Sequence, residues 1–271
     1  MTSRRSFLSS TLSVPAAVLA ARIGASAASD KYKLIAHRGG LVDDGHAENS
    51  PGSVKGAIDR GYWMLEVDIR RTKDGEPVLQ HDANFKRYYG DPRAVEELTW
   101  EQISRLRATP GNTSPIHFRE LCKLCSGKTR LMLDIKSETF PDAFYANLRD
   151  TLAENRLLES TYLLGGASPA KRVFGKSAFR SCTKKTLRDA LDKGEDVKTQ
   201  MYLFELASDI DEDTVKLCRE AGVTAVAAIN TFRYTMAKRD EWKGAEEDAT
   251  RMKQIGITYF QIDSLYGPLF A

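Results

Sequence analysis

Residues 64–82 read Met-Leu-Glu-Val-Asp-Ile-Arg-Arg-Thr-Lys-Asp-Gly-Glu-Pro-Val-Leu-Gln-His-Asp. Two short apolar runs lie in this stretch, Met64 to Ile69 and Pro77 to His81, and each reads as a strand. Glu66 and Asp68 are one residue apart, so on a strand both carboxylates point to the same side. Further out the same pattern recurs: short apolar runs alternate with amphipathic stretches from residue 31 onward, as βα units do around a parallel sheet. The other expected strands are Lys33 to His37, Leu131 to Lys136, Thr161 to Gly165, Gln200 to Phe204, Val223 to Ile229 and Ile257 to Asp263. Together these make eight, the number that closes a (β/α)8 TIM barrel, with Phe179 to Cys182 as a weaker ninth candidate.

A chain of 271 residues fits one such α/β barrel, a single domain over 31–271 with no linker or internal repeat. The first helix is well marked, since Ser50 can cap it, Pro51 suits its first turn and Gly61 follows its last apolar position. Later helices are expected near Phe140 to Asn155, Lys185 to Asp192, Asp211 to Ala221 and Asp240 to Ile255.

The N-terminus, residues 1–28, resembles a twin-arginine export signal: Ser3-Arg4-Arg5-Ser6-Phe7-Leu8, an Ala-rich run, then Ala25-Ser26-Ala27. The run is too short for a stable membrane anchor, so a periplasmic or secreted location and a passing contact with the translocation machinery are expected. Arg4, Arg5 and Arg22 account for the formal net charge of +3, and beyond them 37 basic side chains face 37 acidic ones. That balance argues against a nucleic-acid partner. Cys122 and Cys125 form a lone C-x-x-C on a stretch suited to a helix, where core packing or a surface disulfide would account for them.

Ionisable residues gather where the expected strands end, the side on which barrel enzymes build their sites. His37-Arg38-Gly39-Gly40 closes the first strand, Glu66 and Asp68 lie on the second, His81-Asp82 ends the third, and Asp134 and Lys136 lie on the fourth. Two carboxylates on one buried face repel each other unless positive charge lies between them. A divalent cation held with Asp134 would supply it, all-oxygen ligands favouring Mg²⁺ or Ca²⁺, and so would an ion pair with Arg70 or Lys136. His37 and His81 bring imidazoles, a group whose ordinary titration near neutrality suits proton transfer in both directions. His46 and His117 fall in loop or helix-start settings without a direct role.

In order along the chain, His37-Arg38-Gly39, Glu48-Asn49-Ser50, Glu66-Val67-Asp68-Ile69, Thr72, Asp74-Gly75 and Val78 to Asp82 resemble the signature of the glycerophosphodiester phosphodiesterases. Leu131 to Lys136 resembles the family's strand with its third metal carboxylate, with Asp134 where Glu is usual. Ile262-Asp263-Ser264 to Pro268 is a loose version of its C-terminal Asp-Pro ending, and its strand-seven Trp is absent from Val226 to Asn230. The resemblance implies a small-molecule phosphodiester substrate, cleaved to glycerol 3-phosphate and an alcohol with a divalent cation held by Glu66, Asp68 and Asp134. It implies His37 as base and His81 as acid, with Arg38 and Lys136 on the phosphate and Glu48 orienting His37 or touching the metal. The alternatives are a lipid-acting barrel phosphodiesterase, similar to sphingomyelinase D or phosphatidylinositol phospholipase C, and a non-catalytic barrel binding a phosphorylated ligand. The sequence announces no exposed apolar or basic amphipathic stretch that a lipid-acting enzyme would need.

Overall fold

The computed structural model describes residues 31–40, 42, 45–165 and 168–271. The expected export signal, residues 1–28, lies outside the described residues. Eight strands run parallel: β1 (Lys33–Ala36), β2 (Met64–Arg71), β4 (Arg130–Ile135), β5 (Tyr162–Leu164), β6 (Phe179–Cys182), β7 (Met201–Leu206), β8 (Thr224–Ile229) and β9 (Tyr259–Ile262). Neighbouring strands pair in chain order from β4 to β9, β2 joins β4, and β1 pairs with both β9 and β2, which closes the barrel.

One expected barrel strand is reassigned. Pro77–Leu79, here β3, runs antiparallel to β2, with Ile69 opposite Leu79 and Arg70 opposite Val78, and lies outside the closed ring. The connection is the reason: residues 72–76 make a tight turn, with Gly75 at φ +91° and the Thr72 hydroxyl accepting from the Glu76 amide at 2.8 Å. A return to the same sheet in parallel needs a crossover of about a dozen residues or more, so this segment can only fold back. The eighth place belongs to β6, the weaker candidate.

Helices fill the crossovers: α1 (Pro51–Asp59), α2 (Phe118–Cys125), α3 (Asp142–Glu154), α4 (Ser168–Phe174), α5 (Lys184–Asp192), α6 (Glu212–Ala221), α7 (Thr231–Met236) and α8 (Glu241–Gln254). Their starts follow capping chemistry. Ser50 accepts from the Ser53 amide ahead of Pro51, Asp211 from Thr214, and Asp240 from Lys243. All four cysteines are buried and unpaired, Cys122 and Cys125 on the inner face of α2, in accord with core packing. No helix among the described residues is long and apolar enough to cross a membrane.

Alternation along the strands divides the core in two. Leu34, Leu65, Val67, Leu133, Leu203 and Ile262 face outward and pack beneath the helices. Ile35, Met64, Met132, Tyr162, Tyr202 and Val226 face inward and plug the barrel. Two residues further along the inward rows stand His37, Glu66, Asp134 and Ala228, so the apolar plug is a floor and the ionisable residues form the layer above it.

Candidate active site

His37 directly follows β1 and continues its inward row. Its Nδ1 lies 2.6 Å from Oδ1 of Asp263, the residue that follows β9. The other Asp263 oxygen accepts from the Thr231 amide at 2.6 Å. Burial works against a charged imidazole here, but the Asp263 hydrogen bond and the charges of Glu66 and Asp263 outweigh it and raise the His37 pKa. Asp263 moves the opposite way: burial alone would raise it, and the bonds from His37 and Thr231 hold it below the usual carboxylate range.

The next two residues turn sharply. Arg38 sits at φ 53°, ψ 48°, a left-handed conformation uncommon for a side chain of this size. The turn aims the Arg38 amide at Glu66 Oε2, 2.8 Å away, and sends the guanidinium across to Glu48 (3.0 Å) and His81 Nε2 (3.0 Å). Gly39 and Gly40 then let the chain pass close to α1. A Cβ on Gly40 would stand 2.4 Å from the Ser53 carbonyl oxygen.

Glu66, Asp68 and Asp134 each place an oxygen within 4.8 Å of the others. Glu66 and Asp68 are buried to 1% exposure. Lys136 partly neutralises the group, its ammonium lying 2.6 Å from Asp68 Oδ1 and 2.5 Å from Asp134 Oδ2. Burial would raise Asp68, but the Lys136 ammonium and the Asn49 amide, 2.7 Å from Oδ2, draw its pKa down. Glu66 goes the other way: burial and repulsion from Asp68 outweigh the His37 charge and the Arg38 amide and push it up to about 8. One ammonium against three carboxylates leaves negative charge uncompensated, and the donors are all oxygen. This set fits a hard divalent cation, and the expected ion pair with Lys136 is present as well.

His81 lies just past β3. Its Nδ1 is 2.9 Å from Asp82 Oδ1, while its Nε2 faces the Arg38 guanidinium. A guanidinium only donates, so Nε2 is the acceptor toward Arg38 and Nδ1–H donates to Asp82. Arg87 ties this side together, binding both Glu48 oxygens (2.6 and 3.1 Å) and both Asp82 oxygens (2.7 and 2.8 Å). Glu48, His81 and Asp82 also lie close enough to share an ion, but two arginines already satisfy the two carboxylates.

His37, Arg38, Glu48, Glu66, Asp68, His81, Asp134 and Lys136 are therefore gathered on one rim. His117 is elsewhere, paired with Glu76 at 2.9 Å and edge-on to Trp100. The sequence reading passed over Asn49, Asp82, Arg87 and Asp263 as site residues. Asp263 carried a signal: it continues the inward row of β9, Tyr259 and Gln261, beyond the strand's end.

Residues 37–144 match the model of the Glycerophosphoryl diester phosphodiesterase family. The human glycerophosphodiester phosphodiesterase 1 is 39% identical over 77 residues, 28% of this chain and 23% of that protein. The matched part thus spans about a quarter of the curated relative's length. A crystal structure of a glycerophosphoryl diester phosphodiesterase from Parabacteroides distasonis has a TM-score of 0.69 at 20% identity and covers 92% of both chains. A phosphodiesterase from Oleispira antarctica, solved with its product sn-glycerol-3-phosphate, has a TM-score of 0.64 at 19% identity, covering 85% of this chain and 92% of that one. Through residues 37–144, which carry His37, His81 and all three clustered carboxylates, this chain is similar to the glycerophosphoryl diester phosphodiesterase family.

Proposed function

We propose that the protein is a metal-dependent phosphodiester hydrolase that cleaves glycerophosphodiesters to glycerol 3-phosphate and an alcohol. The observation that carries this reading is the pairing of two histidines, each backed at Nδ1 by an aspartate, around three clustered carboxylates. The family match over residues 37–144 supports the substrate class.

Glu66, Asp68 and Asp134 would hold the cation, Mg²⁺ or Ca²⁺, which when bound supplies Lewis-acid charge to the phosphoryl group. The Arg38 Nε, buried and without a partner, offers a charge-assisted donor to a phosphoryl oxygen. His81 takes the proton of the attacking hydroxyl or water at Nε2 once the substrate phosphate draws away the Arg38 guanidinium that fills this lone pair. His37, biased toward its protonated form by Asp263, donates from Nε2 to the leaving alcohol. This order reverses the one the sequence resemblance implies, because Asp263 backs His37 in its protonated form.

A lipid-acting version of the same chemistry has one observation in its favour. Phe232 and Met236 on α7 are 44% and 78% exposed, and Leu265 is 48% exposed, all in segments that follow barrel strands at the site's end. A substrate panel separates the two readings: faster turnover of lysophospholipids than of water-soluble glycerophosphodiesters would favour the lipid version.

We also infer export to the periplasm or beyond through the twin-arginine machinery, on the residues Arg4-Arg5, Phe7-Leu8 and Ala25-Ser26-Ala27. Replacing Arg4 and Arg5 by Lys should leave the unprocessed protein in the cytoplasm. Processing at the normal rate would contradict this route.

A further inference from the structure

Four buried side-chain polar atoms have no hydrogen-bond partner among the described residues: Arg38 Nε, Arg180 Nε, Glu205 Oε2 and Asn230 Nδ2. Such atoms are costly unless something outside the chain completes them. Two of the four face away from the site. Arg180 alternates with Phe179, which packs against the barrel's inner plug, and shares the outward row with Cys182. Glu205 shares the outward row of Leu203, and its other oxygen accepts from the Lys184 amide at the start of α5. Arg38 already belongs to the phosphate side. Asn230 remains.

Asn230 directly follows β8, at φ −124° and ψ 138°, so the strand's alternation continues through it. Val226 of the inner plug sets the inward row, which puts Ala228 and then Asn230 on the inside of the rim. Asn230 is 3% exposed. Both its neighbours are tied to the residue that orients His37: the Ile229 carbonyl accepts from the Asp263 amide at 3.4 Å, and the Thr231 amide donates to Asp263 Oδ2 at 2.6 Å. The amide is thereby fixed one strand away from the His37–Asp263 pair. On its other side lies β7, whose inward Phe204 stands beside Val226, two inward positions below Asn230, so the aromatic floor ends beneath the amide.

A neutral N–H is matched to an uncharged oxygen, whereas the phosphate charge has Arg38 and the cation that Glu66, Asp68 and Asp134 would hold. We propose that Asn230 is a substrate-contacting residue whose Nδ2–H donates to a hydroxyl oxygen on the glycerol side of the bound phosphodiester. The proposal rests on the hydrolase reading above. It makes Asn230 a specificity determinant: the donor rewards substrates that bring a hydroxyl, and a substrate without one leaves it unpaired.

The test compares wild type with Asn230→Leu and Asn230→Ala on sn-glycero-3-phosphoethanolamine and on bis(4-nitrophenyl) phosphate, a diester with no hydroxyl. Expected is a loss of about tenfold or more in kcat/KM on the glycerol substrate, little change on the nitrophenyl one, and an unchanged melting temperature. Equal losses on both substrates would mean a structural role, and no loss on either would mean no contact; each overturns the proposal. A wild type that cleaves neither diester overturns the hydrolase reading instead. In that event calorimetry with glycerol 3-phosphate against inorganic phosphate still decides, since the proposal requires wild type to prefer the glycerol ester and Asn230→Leu to lose that preference.

Discussion

Asp263, the residue after the last barrel strand, holds Nδ1 of His37, the residue after the first, at 2.6 Å across 226 positions of sequence. Barrel closure makes the contact. β1 pairs with β9 in parallel, Ala36 beside Ile262, so the residues that follow each strand are neighbours on the rim. The carboxylate fixes the ring's orientation and tautomer and leaves Nε2 outside this bond.

Asp263→Asn removes the charge and keeps the shape. Because the Asp263 bond and charge are among the causes that raise His37, the variant should move the alkaline limb of the rate profile to lower pH and reduce kcat at neutral pH about tenfold or more. The sign for stability follows the same shift. A raised imidazole adds stability that is complete below its ordinary pKa and is lost as pH rises through the raised value; the lowered Asp263 adds stability that is lost as pH falls. Unfolding midpoints of wild type against variant from pH 5 to 9 should therefore converge toward the alkaline end. A constant gap would contradict the pairing.

Lys136 shares its ammonium between Asp68 and Asp134. Lys136→Met strands a buried carboxylate, which should cost the metal-free protein about 3–5 kcal/mol. Saturating Mg²⁺ or Ca²⁺ should restore much of that loss, and at a hundredfold excess over Kd it stabilises by about 2.7 kcal/mol. Thermal melting with and without the ions, beside Glu66→Gln, reads this directly. Rescue that persists in Glu66→Gln would place the ion elsewhere.

Gly40 stands at φ +126°, and an added Cβ would meet the Ser53 carbonyl oxygen at 2.4 Å. Gly40→Ala should destabilise by about 1–3 kcal/mol and displace the His37-Arg38 turn, so activity falls further than stability alone requires. Urea melts and kcat on the same samples separate the two effects.

Much of this site was legible because a barrel turns sequence adjacency into spatial adjacency. Glu66 and Asp68 share a face by strand alternation, and that is where they lie. The first helix was equally readable, since Ser50 and Pro51 act locally. The hairpin was harder to place. Pro77 to His81 has a strand's composition, and only the short connection from Thr72 to Glu76 shows that it folds back rather than entering the ring. Phe179–Cys182 looked weak because its inward and outward residues mix Phe and Cys with Arg and Ser. The His37–Asp263 and Asn49–Asp68 contacts were beyond local reading, because each depends on the register of separate segments brought together by the fold. The exposure of Phe232 and Met236 was hidden too, since their spacing on a short helix suits burial as well as display.

The most direct test of the central claim is release of glycerol 3-phosphate from glycerophosphodiesters by the protein lacking residues 1–28, with and without chelator, beside His37→Ala and His81→Ala. Turnover that disappears with chelator and falls about a hundredfold or more in each variant is the predicted result. Undiminished turnover in chelator, or in either histidine variant, would contradict the metal and proton-transfer account.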